Sequence, residues 1–322
     1  MNPKILYYSI LNFQKKSLNF LNEHFDVITL KDPDEDTPDI LAQIHATFAP
    51  LGFFCGKEKL DLCLQLKAIV SNTTGEPHID VEYARTKNIA VISLKNEQEF
   101  LSRITPTAEH TWGLLLSLVR RTPWAFESVK QGIWNRRLFP AKAMLSNMRL
   151  GIIGMGRLGS MVARYGNCFG MHVQYFDPYV GKPLVSPVER IDRLVDLVAQ
   201  NDVISLHAPH NPETDKMINR KVFNNFKIGA YFINTARAEI VDFDALLKVL
   251  ENGRLSGAAM DVFEGEFSKG FSYSKKFQQH PLIEYAHQHD NLLITPHIGG
   301  STYDAWRDTE MHVIKKLTAL MR

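Results

Sequence analysis

The stretch that most constrains the fold is Leu150-Gly151-Ile152-Ile153-Gly154-Met155-Gly156-Arg157-Leu158-Gly159. A short apolar run, read as a buried strand, leads straight into Gly-x-Gly-x-x-Gly. A helical pattern follows in which Leu158, Val162, Tyr165 and Phe169 recur on one face. Each glycine has a physical job: Gly154 permits the tight strand-to-helix turn, Gly156 lets the backbone approach a pyrophosphate, and Gly159 lets helix and strand pack closely. The phosphates would rest on the open N–H groups and positive end of the helix, with Arg157 and Leu158 between the glycines beside them. Such a loop alone is a weak signal. Here a second strand, His172 to Phe176, ends on Asp177, about 20 residues beyond the loop, where a ribose-binding carboxylate is expected. The whole βαβ unit favours a dinucleotide over a structural turn with a surface aspartate.

Bulk properties set outer bounds. At 322 residues, two domains are expected. A net charge of +2 gives no reason to invoke nucleic acid or an acidic membrane surface. Cys55, Cys63 and Cys168 form no Cys-x-x-Cys pair, which fits a reducing compartment and argues against a disulfide framework or a zinc site; no metal is expected. Residues 1–11 lack a basic region followed by a long apolar stretch, so no signal peptide is expected. No segment reaches a membrane-spanning length, because Arg120 and Arg121 break the most apolar helix. The expected location is the cytoplasm.

The first hundred residues alternate strand and helix without a glycine fingerprint, which suggests a separate, smaller doubly wound unit. Strands are expected at Ile5–Ser9, Val27–Leu30, Ala68–Val70 and Ile89–Ser93, with helices at Phe13–His24 and Val81–Lys87 and a short one after Asp39. The small, polar Ser71–Gly75 loop suits an anionic group, and an ordinary βα turn explains it equally well. Leu94–Arg103 reads as a connector. A strong helix spans Thr107–Val119, and an aromatic-rich arm with Trp112, Trp124, Phe126 and Trp134 continues to Pro140. Its apolar content suggests a dimer surface, with burial between domains as the alternative. Beyond the glycine loop the spacing predicts helices at Pro187–Gln200, Asn219–Phe226, a segment capped by Asp242 and ended at Gly253, His280–His287, and Tyr303–Met321. Strands are expected at Asp202–Leu206, Ala230–Ile233, Ser256–Val262 and Asn291–Thr295.

Ligands of doubly wound sheets bind outside the carboxyl ends of the strands. That rule selects the glycine loop, Asn234-Thr235-Ala236-Arg237, the pair Glu264 and Glu266, and His297. A guanidinium fork binds a carboxylate and polarises a carbonyl oxygen. A histidine exchanges a hydroxyl proton near neutral pH, and a carboxylate beside it orients the ring and favours the charged form. Singly, each reads as a surface or loop residue; together, beside a nucleotide loop, they suit hydride transfer on a hydroxy acid.

The chain resembles the D-isomer-specific 2-hydroxyacid dehydrogenases, a group that includes D-3-phosphoglycerate dehydrogenase and glyoxylate/hydroxypyruvate reductase. The resemblance rests on Thr107-Ala108-Glu109-His110-Thr111, the phosphate loop, Leu206-His207-Ala208-Pro209 ahead of Glu213-Thr214, Asn234 to Arg237, Asp261 to Glu266, and Pro296-His297-Ile298-Gly299-Gly300. It implies an α/β protein of two doubly wound domains: a Rossmann NAD-binding domain, residues 104–298 with a dimerisation arm at about 107–140, inserted in a smaller flavodoxin-like substrate domain, residues 1–103 plus 299–322. It implies Arg237 on the substrate carboxylate and keto oxygen, His297 as acid/base and Glu266 as its partner; Glu264 does not match the family position. Asp261, Thr235 and Ala236 would lie on the nicotinamide side, His207 and Pro209 on the adenine side, with Thr214 and Gly299 as further cofactor contacts. The backbone of Thr73, Thr74 and Gly75 matches the loop that receives the substrate carboxylate. The implied activity is NAD-dependent, NADP being disfavoured by Asp177, on a small 2-keto or 2-hydroxy acid, in a homodimer.

Four features depart from the family pattern: Ala238 for glycine, Phe267 for proline, the long aromatic stretch 267–279, and the connector Lys95–Arg103. They leave the identity of the acid open. A catalytically weak, NAD(H)-sensing protein of the corepressor type is the alternative on the same fold, and formate-type dehydrogenases share it too. Tyr83-Ala84-Arg85-Thr86-Lys87 matches the Tyr-x-x-x-Lys of short-chain dehydrogenases but precedes the glycine loop instead of following it. The end of the chain soon after Met321 leaves no extra regulatory domain expected.

Overall fold

Two parallel sheets organise the chain, one in each of two units; the computed structural model describes residues 2–183, 185–268, 270–271 and 274–322. Unit 1 comprises the chain to Ile104, residues 267–269 and Ser301–Arg322; unit 2 comprises Thr105–Glu266 and Gly270–Gly300.

In unit 1, β1 (Lys4–Tyr8), β2 (Asp26–Leu30), β3 (Ala46–Phe48), β4 (Ala68–Val70) and β5 (Ala90–Ile92) pair in the order β2-β1-β3-β4-β5. Alternation along β1 sends Ile5 and Tyr7 to one face and Leu6 and Tyr8 to the other. The first face packs on the Lys15–His24 and Tyr303–Met321 helices through Leu21, Val313, Ile314 and Leu317. The second packs on Leu41, Leu60 and Ala84 of three short helices. Sequence periodicity misses β3, since three fully buried residues show no alternation, although it lies at the centre of the sheet.

In unit 2, β6 (Arg149–Ile153), β7 (His172–Phe176), β8 (Glu189–Arg190), β9 (Val203–Leu206), β10 (Ala230–Asn234), β11 (Leu255–Met260) and β12 (Leu292–Ile294) are all parallel, in the order β12-β11-β10-β9-β6-β7-β8. The order reverses between β6 and β9, the switch point at which such sheets open a crevice. The Pro106–Val119 and Arg157–Cys168 helices cover one face, and the Leu194–Gln200, Phe243–Glu251 and Pro281–Gln288 helices the other.

Several sequence expectations need correction. Residues 187–200 do not form one helix: Glu189 and Arg190 pair with Gln174 and Tyr175 as an edge strand, and the helix starts only at Leu194. The buried side of the glycine-loop helix centres on Gly159, Val162, Ala163 and Gly166, while Phe169 caps its end. A short helix, Gln98–Leu101, interrupts the connector. Trp112 is not part of an exposed arm: it is buried in the core against Tyr165 and Phe169. Of the stretch 267–279, Lys269, Ser272 and Tyr273 lie outside the described residues; Phe271 and Phe277 pack on Phe263 beneath the Glu264–Glu266 turn.

Candidate active site

At the end of β6 the chain turns through Gly154 with φ +89°, where a Cβ would sit 2.8 Å from the Ala208 nitrogen. A Cβ on Gly159 would lie 2.0 Å from the Gly154 carbonyl oxygen, so helix and loop meet only through glycine. Gly156 differs: among the described residues nothing lies within 4 Å of its Cβ position, and it caps the Arg157–Cys168 helix, whose first turn holds no acid. That is an open, electropositive cradle of the kind a pyrophosphate needs. Asp177 is buried beside it. Its Oδ2 accepts from Met155 N (2.8 Å), and its Oδ1 accepts from Tyr179 N (2.8 Å) and Val180 N (3.0 Å). Among the described residues Oδ2 accepts this one bond, which keeps a second acceptor position for a ribose hydroxyl.

Across the switch point, His207 follows β9. Its Nε2 pairs with Ser205 Oγ at 2.8 Å, while Nδ1 is sealed from solvent with no partner among the described residues. Burial pushes the imidazole down to about 4, so it is neutral at pH 7. Thr214 Oγ1 donates to the Pro209 carbonyl at 2.7 Å and closes the loop. The orphaned Nδ1, the open cradle and the acid at the end of β7 fit a dinucleotide.

After β10, the fully buried Asn234 folds the next three residues around its amide: Oδ1 accepts from Ala236 N and Nδ2 donates to the Arg237 carbonyl, both at 3.0 Å. Thr235 Oγ1 meets Thr111 Oγ1 at 2.7 Å, and the half-buried Arg237 donates through Nη1 to the Ala236 carbonyl. After β11, the buried Asp261 threads the 295–299 segment. Oδ1 accepts from Thr295 Oγ1 (2.6 Å) and Ile298 N (2.9 Å), and Oδ2 accepts from Gly299 N (2.7 Å). A Cβ on Gly299 would sit 2.8 Å from that Oδ2. Burial works to raise the Asp261 pKa, but bonds from His110, Thr295, Ile298 and Gly299 outweigh it and hold the carboxyl below its usual range.

That segment delivers His297, with φ +54°. Its Nδ1 lies 2.9 Å from Glu266 Oε2; the histidine side chain is 37% exposed and the glutamate 13%, so one is reachable and the other shielded. A carboxylate only accepts, so Nδ1 carries a proton and the ring's chemistry is directed to Nε2. Glu266 thus meets His297, whereas Glu264 is exposed.

Because every strand of unit 2 is parallel, the glycine loop, Asp177, His207, Pro209, Thr235, Ala236, Arg237, Asp261, Glu266, His297 and Gly299 all follow strand C-termini on one edge. Thr73, Thr74 and Gly75 follow β4 in unit 1, where Thr73 Oγ1 donates to the Gly75 carbonyl at 2.6 Å and accepts from Ser71 Oγ at 2.8 Å. The sequence gives no role to His110 and Thr295. His110 Nε2 lies 2.9 Å from Thr295 Oγ1 and 3.3 Å from Asp261 Oδ1. Only the place of His110 in the 107–111 motif marks it beforehand.

Residues 112–299 match the model of the D-isomer specific 2-hydroxyacid dehydrogenase NAD binding domain. The chain is 32% identical to the D-3-phosphoglycerate dehydrogenase of Methanocaldococcus jannaschii over 83% of its own length and 48% of the relative's. It is 34% identical to that of Escherichia coli K12, over 79% and 58%. The chain thus spans about half the length of these curated relatives. Among solved structures it resembles the D-lactate dehydrogenase of Aquifex aeolicus, complexed with NAD and lactic acid, at a TM-score of 0.82 and 29% identity, covering 98% of this chain and 94% of that one. The chain therefore belongs to the D-isomer-specific 2-hydroxyacid dehydrogenase family, and residues 112–299 are its NAD-binding domain.

Proposed function

We propose that this protein is an NAD-dependent oxidoreductase that interconverts a D-2-hydroxy acid and the corresponding 2-keto acid. The observation that carries the reading is the 2.9 Å contact between His297 Nδ1 and Glu266 Oε2 on the sheet edge that also presents Arg237 and the glycine loop. The glycine loop, Asp177 and His207 would hold NADH, which when bound would supply the hydride for C2. Arg237 holds the carboxylate and polarises the keto oxygen. His297 donates its Nε2 proton to that oxygen as charge develops, and Glu266 holds the ring and balances the imidazolium. In the reverse direction His297 takes the hydroxyl proton.

We assign cofactor binding to unit 2 and the substrate carboxylate to the amides of Thr73, Thr74 and Gly75 in unit 1. Asp177 takes the ribose hydroxyls through Oδ2 and repels a 2′-phosphate, selecting NAD(H). Relatives named for D-3-phosphoglycerate and D-lactate support the hydroxy-acid class, and those names favour an enzyme over a corepressor-like sensor. The protein works as a cytoplasmic homodimer; Phe126, Trp134 and Met144 are 66%, 89% and 68% exposed, large apolar side chains that a second copy would cover. Among the described residues no helix is long and apolar enough to cross a membrane.

The test is reduction of a panel of 2-keto acids with NADH and with NADPH. The expected outcome is turnover to the D-isomer with kcat/KM favouring NADH. Turnover favouring NADPH would remove Asp177 from its role, and no turnover would remove the enzyme.

A further inference from the structure

Beside the Thr73 loop, unit 1 holds a cavity of about 220 Å³ whose lining carries no charge. Ile10, Leu11, Ala49, Pro50 and Leu51 form its walls, from the segments that follow β1 and β3, and Asn72 and Thr73 supply the polar edge after β4. The wall is pinned: Gly52 turns with φ +87°, and a Cβ there would lie 2.9 Å from the Phe267 carbonyl oxygen. The same loop continues to Phe54, 67% exposed, so the apolar surface extends beyond the cavity.

Resting on the reading above, in which the 73–75 amides take the carboxylate, we propose that this cavity receives the substrate's side chain, and that the substrate is a 2-keto acid with a branched aliphatic or aromatic side chain, not a phosphorylated one. Asn72 and Thr73 line the cavity and run directly into the carboxylate loop, so the cavity adjoins the place where the group on C2 would point. An apolar cavity of ~150 Å³ suffices for a benzene ring, so this one is large enough for phenyl or isobutyl. A phosphate dianion placed there loses its hydration and finds no cation among the lining residues. The D-3-phosphoglycerate dehydrogenase names of the relatives therefore do not transfer to this cavity.

The experiment compares kcat/KM with NADH for phenylpyruvate, 4-methyl-2-oxopentanoate, pyruvate and 3-phosphohydroxypyruvate. Alongside it, phenylpyruvate is titrated calorimetrically into protein saturated with NAD. Since each methylene in such a pocket is worth about 10-fold or more, phenylpyruvate should exceed pyruvate by ~10²-fold, with the phosphorylated acid lowest. Leu51→Arg and Ile10→Arg, both at exposed positions that leave the core intact, should each lower the ratio of phenylpyruvate to 3-phosphohydroxypyruvate by ~10²-fold. Preference of the natural sequence for pyruvate or 3-phosphohydroxypyruvate overturns the cavity assignment alone. Phenylpyruvate binding that Leu51→Arg weakens, without turnover of any acid, overturns the dehydrogenase reading and leaves the cavity assignment standing. Absence of both binding and turnover overturns both.

Discussion

Two buried aspartates at strand ends act as clamps as well as candidate cofactor contacts. Asp177 fastens the glycine loop through Met155 N, and Asp261 fastens the His297 segment through Ile298 N and Gly299 N. The sequence marks both residues by position but hides this second job, because the partners are backbone N–H groups far away in the chain. His110 is hidden for the same reason, being legible only once Thr295 and Asp261 are in place. His207 carries a pH signature. Its imidazole titrates near 6.5 when unfolded and at about 4 when folded. Between those values the unfolded chain holds the extra proton, so stability is full above about pH 6.5 and falls as pH drops toward about 4, by at most about 1.4 kcal/mol per pH unit. Urea unfolding midpoints of His207→Gln should vary less across that window than those of the natural protein; an unchanged slope would place the titration elsewhere.

Among the elements, those with a full period were the legible ones. The Tyr303–Met321 helix and the strands flanking the glycine loop fall where periodicity puts them. Three-residue β3 and edge strand β8 do not, since their pairing partners, not their own residues, make them strands. The stretch 267–279 departs from the family pattern, yet Phe271 and Phe277 set their rings 6.0 and 5.1 Å from Phe263, tilted and edge-on, and 5.0 Å from each other, so that these two rings prop the glutamate turn. The glycine loop separates packing from binding at element scale. Gly159→Ala drives a Cβ into backbone and should destabilise by about 3 kcal/mol, the upper range for overpacking. Gly156→Ala meets open space, so its Tm should hold while NADH affinity falls by about 10-fold or more. Calorimetry and NADH titration check the pair; a Tm loss in Gly156→Ala would show that the cradle is a structural turn.

For the molecule as a whole, the sequence motifs identify the family and the sheet edge that holds the candidate site, while the cavity proposed for the acid's side chain is walled by Ile10, Leu11 and Ala49 to Leu51, which no motif marks. Assembly is likewise visible only in part: Trp112, expected on the arm, is core, and Trp134 is surface. Trp134→Glu should leave Tm within the small range usual for surface substitutions and turn a sedimenting dimer into monomer at micromolar concentration; a dimer that survives it uses another face.

In the proposed reaction His297, held by Glu266, moves the proton, while the phosphate and ribose contacts of the cofactor lie elsewhere. Its most direct test measures NADH binding and keto-acid reduction together in His297→Ala. NADH affinity should stay within about threefold of the natural protein, and kcat should fall by roughly 10²- to 10⁴-fold, the usual general acid–base contribution. Reduction at an undiminished rate would contradict this role of His297.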